Sequence, residues 1–115
     1  MIGQTIDVTD TLNADNAVVL DVGGWENVII QTVNPSGTIT LQGTNDGGAS
    51  NTQNESPATA ANFTNLQATD MSDGAGTTSL AVAGLYKVTQ PSKYIKIGGA
   101  AAAADKCLVF LSKVV

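Results

Sequence analysis

The chain has 115 residues, a length that fits one domain with one hydrophobic core. Only 13% of its residues are charged, the formal net charge is −5, and it contains lysine but neither arginine nor histidine. Clustered Lys and Arg for a nucleic-acid backbone are therefore missing, as is the side chain that most readily transfers protons near neutral pH.

An alternation of apolar and polar residues with a period of two runs along the chain and predicts β-strands. In "GTITLQG", for example, Ile39 and Leu41 share one face and the threonines share the other. The predicted strands cover residues 4–9, 16–22, 25–33, 37–43, 62–69, 77–82, 85–90, 93–98 and 106–114. Many short strands at regular spacing predict an all-β fold, an antiparallel β-sandwich or jelly-roll, as a single domain over residues 1–115. Its ends, 1–10 and 106–115, are predicted to be extended.

Turn residues separate these strands, and no segment has an apolar stripe at helical spacing. Pro35 presets a turn and Gly37 allows the chain to return, which predicts a hairpin of 25–33 with 37–43. The alanine-rich segment 98–105 is compatible with a loop or with one helical turn. We favour the loop, because two glycines open the segment and so short a helix is marginal.

Two predicted strands, 25–33 and 106–114, are apolar on both faces. In the first, Trp25, Ile29 and Val33 share one face, and Val28 and Ile30 share the other. A sandwich buries one face of each strand, so the second face needs a subunit partner or a loop over it, or is tolerated as surface. The candidate interface residues are Trp25, Val28, Ile30, Leu108, Phe110 and Val114. If Ile30 lies on the second face, Ile30→Lys separates oligomers into folded monomers.

The stretch "TLQGTNDGGA" concentrates Asn45, Asp46, Gly47 and Gly48 at one point. A calcium loop needs several closely spaced carboxylates, and the next acid is nine residues further on. A phosphate-binding loop normally leads into a helix and uses a cation, and neither follows here. A turn at the end of a strand needs only residues that tolerate left-handed φ, so we interpret the stretch as a turn. It opens a long polar loop, residues 46–61, whose length is typical of a functional or disordered segment.

Nothing in the sequence predicts an enzyme, a metal or a cofactor. Cys107 is the single cysteine, so it has no disulfide partner within the chain, and the apolar run "KCLVFL" predicts a buried thiol. No histidine is present to activate it, and no pair of acids stands out for acid–base catalysis. No secretory signal or membrane-spanning run is visible, so we expect synthesis in a reducing cytoplasm.

Two stretches of the sequence, "NPSGTITLQGTNDGGA" and "TTSLAVAGLYKVTQPSKYIKI", resemble small β-sandwich modules of tailed-bacteriophage virions. In those modules a "GTVTxxGSNDGG"-like strand and turn precedes a "GxYxVxxxxxxYxxV"-like pair of strands. The matching positions are Gly37, Thr38, Thr40, Gly43, Asn45 to Gly48, Gly84, Tyr86, Val88, Tyr94, Ile95 and Ile97. The likeness covers residues 25–98. Related modules often carry a large residue soon after the Asp-Gly-Gly turn, where this chain continues with "ASNTQNES".

The resemblance implies a virion structural role without catalysis. The first hypothesis is a capsid decoration (cement) protein on the capsid surface, assembled in the host cytoplasm. Its partners would be the major capsid protein and further copies of itself, with a trimer favoured. The alternative is a tail or fibre module that binds a host surface receptor or glycan through loops such as 46–61 and 70–77. Neither hypothesis involves nucleic acid or membrane.

Overall fold

The protein is described by a computed structural model that covers residues 1–14, 17–45, 63–89, 92–99 and 101–114. Strands dominate it, and one helix of five residues lies between the first two strands. The elements in chain order are β1 (Ile2–Asp7), α1 (Thr9–Asn13), β2 (Val18–Asp21), β3 (Asn27–Val33), β4 (Thr40–Thr44), β5 (Thr64–Asn65), β6 (Ala68–Asp70), β7 (Gly76–Thr77), β8 (Gly84–Val88), β9 (Tyr94–Gly98) and β10 (Lys106–Lys113).

The strands form two antiparallel sheets. The larger sheet has the order β1-β10-β3-β8-β6-β7, and the smaller has the order β2-β9-β4-β5. The pairs β4·β5, β3·β8, β2·β9 and β1·β10 are nested inside one another along the chain. A long hairpin rolled up in this way is a jelly roll, with β6 and β7 added to one edge of the larger sheet. The predicted all-β, antiparallel sandwich is therefore confirmed.

The core lies between the two sheets and follows the period-two pattern of the strands. In β10, Cys107, Val109 and Leu111 are fully or almost fully buried, and the residues between them point away from the core. The smaller sheet contributes mainly Leu41, Ile95 and Ile97 from its central strands. Apolar and β-branched residues at alternate positions explain why these segments form strands that bury one face.

The predicted hairpin of 25–33 with 37–43 is wrong. β3 pairs with β10 and β8 in the larger sheet, whereas β4 pairs with β9 and β5 in the smaller one. The chain does turn where expected, at Gly37 with φ +68°. However, Ser36 forms a bridge with Ala103, so the turn carries the chain from one sheet to the other.

Three local predictions also need correction. The predicted strand 4–9 begins and ends earlier, because helix α1 starts at Thr9 and inserts Leu12, 1% exposed, into the core. The predicted strand 62–69 is two short strands, β5 and β6. The predicted strand 77–82 is reduced to the end of β7 and a bridge at Ser79. In the described part of 98–105 the structure follows the favoured prediction, a loop. The predicted polar loop 46–61 lies outside the described residues.

Candidate protein interface

The outward face of the larger sheet carries an apolar patch across three neighbouring strands. Its members are Phe110 and Leu108 on β10, Ile29 on β3 and Leu85 on β8, which we call the outer patch. Phe110 lies directly opposite Ile29 in the strand register. Leu85 is 43% exposed, and the other three are partly buried. Among the described residues, the smaller sheet packs against the opposite face, and these four side chains lie on the outward face.

Polar side chains lie among and beside the members of the outer patch. Gln31 lies between Leu108 and Leu85 in the register, and Lys87 lies opposite Ile29 on the other side. The outward face thus mixes apolar and polar side chains, and non-obligate protein–protein interfaces taken as a whole have such a mixed composition.

At the edge of the larger sheet, an ion pair joins β1 and β10. The Asp7 carboxylate lies 3.6 Å from Lys106 Nζ, and both side chains are more than half exposed. Hydrogen bonds from the Thr9 hydroxyl and from the Thr9 backbone N–H hold the pKa of Asp7 below its ordinary value, and Lys106 lowers it further. Asp7 is therefore charged at neutral pH.

A glycine on β1 makes room for the largest side chain of the outer patch. A Cβ built on Gly3 would lie 2.7 Å from Phe110 Cζ, closer than real Cβ contacts allow. The ring therefore occupies the space that a side chain at residue 3 would need. This extends the apolar surface from the middle of the sheet to its edge strand.

The sequence-predicted interface residues lie in different parts of the structure. Leu108 and Phe110 belong to the outer patch. Val28 and Ile30 are 0% exposed and lie in the core, so assigning them to an interface was wrong. Ile30 is opposite Val109 and Tyr86 in the register, which places its side chain between the sheets.

The two remaining predicted interface residues lie at the end of β10 and beside it. Trp25 is partly buried against the core, and Lys113 Nζ lies 5.2 Å from the centre of its ring. Val114 is 70% exposed, and its backbone N–H donates to Glu26 Oε1 over 2.9 Å. Neither residue belongs to the outer patch.

Sequence reasoning missed Ile29 and Leu85 as members of the patch. The alternation placed Ile29 on the same face as Trp25 and Val33, but only Trp25 of that face was named as a candidate interface residue. For Leu85 a signal was present, because it alternates with the buried Tyr86 and Val88 and must point outward.

The turn predicted at Asn45 to Gly48 is described only at its first residue. The Asn45 side-chain oxygen accepts a 2.8 Å hydrogen bond from the Lys93 backbone N–H. This bond ties the end of β4 to the residue that precedes β9. Asp46, Gly47 and Gly48 lie outside the described residues.

The described residues do not bring a set of metal ligands together. Within them, no group of three or more His, Cys, Asp or Glu side chains lies close enough together to hold a metal ion. Cys107 is buried, and burial, with a smaller contribution from Asp7, raises the pKa of its thiol to about 11. None of the helices in the described ranges is long and apolar enough to cross a membrane.

A small cleft of about 130 Å³ lies at the end of the larger sheet away from β1. Tyr86 lies along it, and its hydroxyl donates to the Val82 carbonyl. The Asp70 carboxylate accepts hydrogen bonds from the Ser72 backbone N–H and hydroxyl, which lower its pKa. The lining residues are Asp70, Ala75, Thr77, Ser79, Ala81, Val82 and Tyr86.

The chain shares its fold with the solved structure of the SPBc2 prophage-derived protein YomS. The two superpose with a TM-score of 0.61 at 13% sequence identity, over 96% of this chain and 94% of that chain. No protein-family model matches the sequence. No curated protein matches it at a significant level either. The similarity thus covers the whole jelly roll and concerns its fold.

Proposed function

We propose that the protein is a structural protein of a bacteriophage virion that decorates the capsid and stabilises it by protein–protein contacts. The observation that carries this proposal is the outer patch, a group of partly exposed apolar side chains on the outward face of the larger sheet. A prophage-derived protein with the same fold over nearly the full chain supports the phage origin. The resemblance of residues 25–98 to virion modules supports a place in the particle.

The contact would work by burying the outer patch against the major capsid protein. Burial of its apolar surface contributes about 25 cal/mol per Å² before the costs of association are subtracted. Leu85 offers the largest gain, because 43% of it is exposed in the free protein. The low charge of the chain fits such a role, since few charged groups have to lose water when the surface is covered. Self-association of the chain would add to the contacts on the shell.

The number of copies per particle tests the proposal. A decoration protein is present at a fixed fraction of the major capsid protein, because each site on the shell repeats with the shell's symmetry. Quantitative mass spectrometry of purified virions of the encoding phage, with the major capsid protein as internal standard, measures this ratio. We expect hundreds or at least tens of copies per particle. A handful of copies, or none, contradicts a decoration role.

The cleft beside loop 70–77 favours a second candidate function, a tail or fibre module that binds a host surface receptor or glycan. It combines a charged carboxylate at Asp70 with the hydroxyl side chains of Thr77 and Ser79, which is the chemistry that binds sugar hydroxyls. This function predicts few copies per particle and binding to host cells. Asp70→Ala would then abolish adsorption of the labelled protein to host cells, with Asp73→Ala as a control in the same turn.

A further inference from the structure

The outer side of β1 is the longest open strand edge in the described part of the chain. β1 has six residues, whereas the other strands at sheet ends, β2, β5 and β7, have four, two and two. All residues of β1 except Ile6 are exposed. Edges are protected by charged residues, especially lysine, by proline or by a bulge; β1 contains no lysine or proline, and Asp7 at its end is its one charge. This edge is therefore open to pairing with another strand.

The hydrogen-bond pattern determines which backbone groups face the open edge. The Val8 N–H donates to the Cys107 carbonyl over 3.0 Å, and this pair continues the β1·β10 register. Bonded pairs alternate along an antiparallel ladder, so the even-numbered residues of β1 bond to β10. The N–H and C=O groups of Gly3, Thr5 and Asp7 therefore point away from β10, toward solvent.

We propose that β1 pairs antiparallel with β1 of a second copy, centred on Thr5. A two-fold axis perpendicular to the sheet places Thr5 opposite Thr5 of the second copy and Gly3 opposite Asp7. All three outward-facing residues then form bonded pairs, each with two N–H···O=C hydrogen bonds. The two larger sheets become one continuous sheet.

The edge can pair with a copy of itself because the two-fold axis keeps the like charges apart and places the smallest residue opposite the charged one. Asp7 is the one charged residue of the strand, and the two-fold axis places it opposite glycine. The two Asp7 residues are four strand positions apart, about 13 Å, beyond the screening length of about 8 Å at physiological salt. Threonine opposite threonine is a favourable cross-strand pair. A slip by one residue would bring the outward-facing groups of one strand against the bonded groups of the other.

The pairing joins the two outer patches on one face, because an axis perpendicular to the sheet leaves each face on its own side. Phe110, lying over Gly3, brings each patch up to the joined edge. The paired protein thus presents a surface of twice the apolar area. This inference identifies the self-association contact and rests on that part of the proposed function.

The oligomeric state in solution tests the pairing. Light scattering after size exclusion, at about 100 μM protein, is expected to give twice the chain mass of 11.7 kDa. Thr5→Lys is expected to give a folded monomer, because lysine on an edge opposes pairing. Val19→Lys, on the exposed edge strand of the smaller sheet, is the matched control and should remain a dimer. A monomeric or trimeric wild type, or a Thr5→Lys dimer, overturns the proposal.

A crosslink tests the register. Bonded antiparallel pairs have Cα atoms about 5.5 Å apart, within the range that a disulfide spans. Thr5→Cys is therefore expected to form a covalent dimer under mild oxidation, while Val19→Cys does not. Absence of the Thr5→Cys dimer overturns the register. A monomeric wild type that still binds capsids would refute the pairing alone, whereas a dimer that binds no capsid would refute the proposed function alone.

Discussion

The side-chain amide of Asn13 pairs with the backbone of Ala104 through two hydrogen bonds. Its Nδ2 donates to the Ala104 carbonyl over 2.8 Å, and the Ala104 N–H donates to its Oδ1 over 2.9 Å. The amide thus takes the place of a neighbouring strand for a residue in the loop that precedes β10. It joins the end of α1 to a loop 91 residues later in the chain.

Replacing Asn13 by alanine leaves both backbone groups of Ala104, which is itself buried, without their partner. We expect a loss of about 1–3 kcal/mol in the free energy of unfolding. Urea denaturation followed by circular dichroism measures it. Asn65→Ala, at an exposed position of β5, is the control and should change stability by less than about 0.5 kcal/mol. Equal effects of the two substitutions would contradict the role assigned to Asn13.

A comparison of Gly37 with Gly24 distinguishes two effects of replacing a glycine, backbone strain and steric overlap. Both have positive φ, +68° and +88°, so alanine is strained at either position. A Cβ at Gly37 would also lie 1.9 Å from the Ala101 carbonyl oxygen, whereas none of the described atoms lies within 4 Å of a Cβ at Gly24. We expect Gly24→Ala to cost about 1 kcal/mol and Gly37→Ala at least about 3 kcal/mol. Thermal unfolding of both variants checks the order, and a Gly37→Ala variant as stable as Gly24→Ala would contradict the close approach.

Asp7 makes stability depend on pH in the acid range. Because its pKa is below the ordinary 3.8 in the folded protein, the stabilisation is present above pH 3.8 and is lost as the pH falls through the folded value. We expect the stability difference between wild type and Asp7→Asn to shrink as the pH falls through this range. Unfolding curves between pH 2 and 7 measure it. Hydrogen bonds from Thr9 are the largest cause of the lowered pKa of Asp7, so Lys106→Met should leave most of this lowering in place. An ordinary pKa for Asp7 in the Lys106→Met variant would contradict this assignment.

The Cys107 thiol is expected to be unreactive in the folded protein. It is 0% exposed, and its pKa of about 11 leaves almost no thiolate at pH 8. A chromogenic disulfide reagent at pH 8 should therefore detect no thiol in native protein and one thiol per chain in 6 M guanidinium. Rapid reaction of the native protein would contradict the burial of this residue.

The fold class could be predicted because alternation of apolar and polar residues is a local property of each strand. Strand partners could not be predicted from the same signal. Pro35 and Gly37 do form a turn, but turn residues specify a change of direction and leave open which sheet the next strand joins. Helix α1 is too short to produce a helical period, and Leu12 is held there by tertiary packing.

The candidate interface was predicted only in part, and the reason lies in β3. With Ile29 on one face and Ile30 on the other, periodicity identifies two apolar faces and cannot assign the inner one. The assignment depends on the neighbours: Ile30 lies between Val109 and Tyr86, which both point inward. Ile30→Lys is therefore expected to prevent folding rather than to release a folded monomer. Charging Leu85 is the substitution that tests the outer face.

Binding to the capsid tests the central claim, that the protein acts through the outer patch. Leu85→Glu and Val19→Glu place the same charge on residues of similar exposure, 43% and 39%, on opposite sheets. Co-sedimentation with capsids that lack the protein measures their binding. We predict that Leu85→Glu weakens binding at least tenfold while Val19→Glu binds like wild type. Wild-type binding by Leu85→Glu, or an equal loss in both variants, would contradict the account.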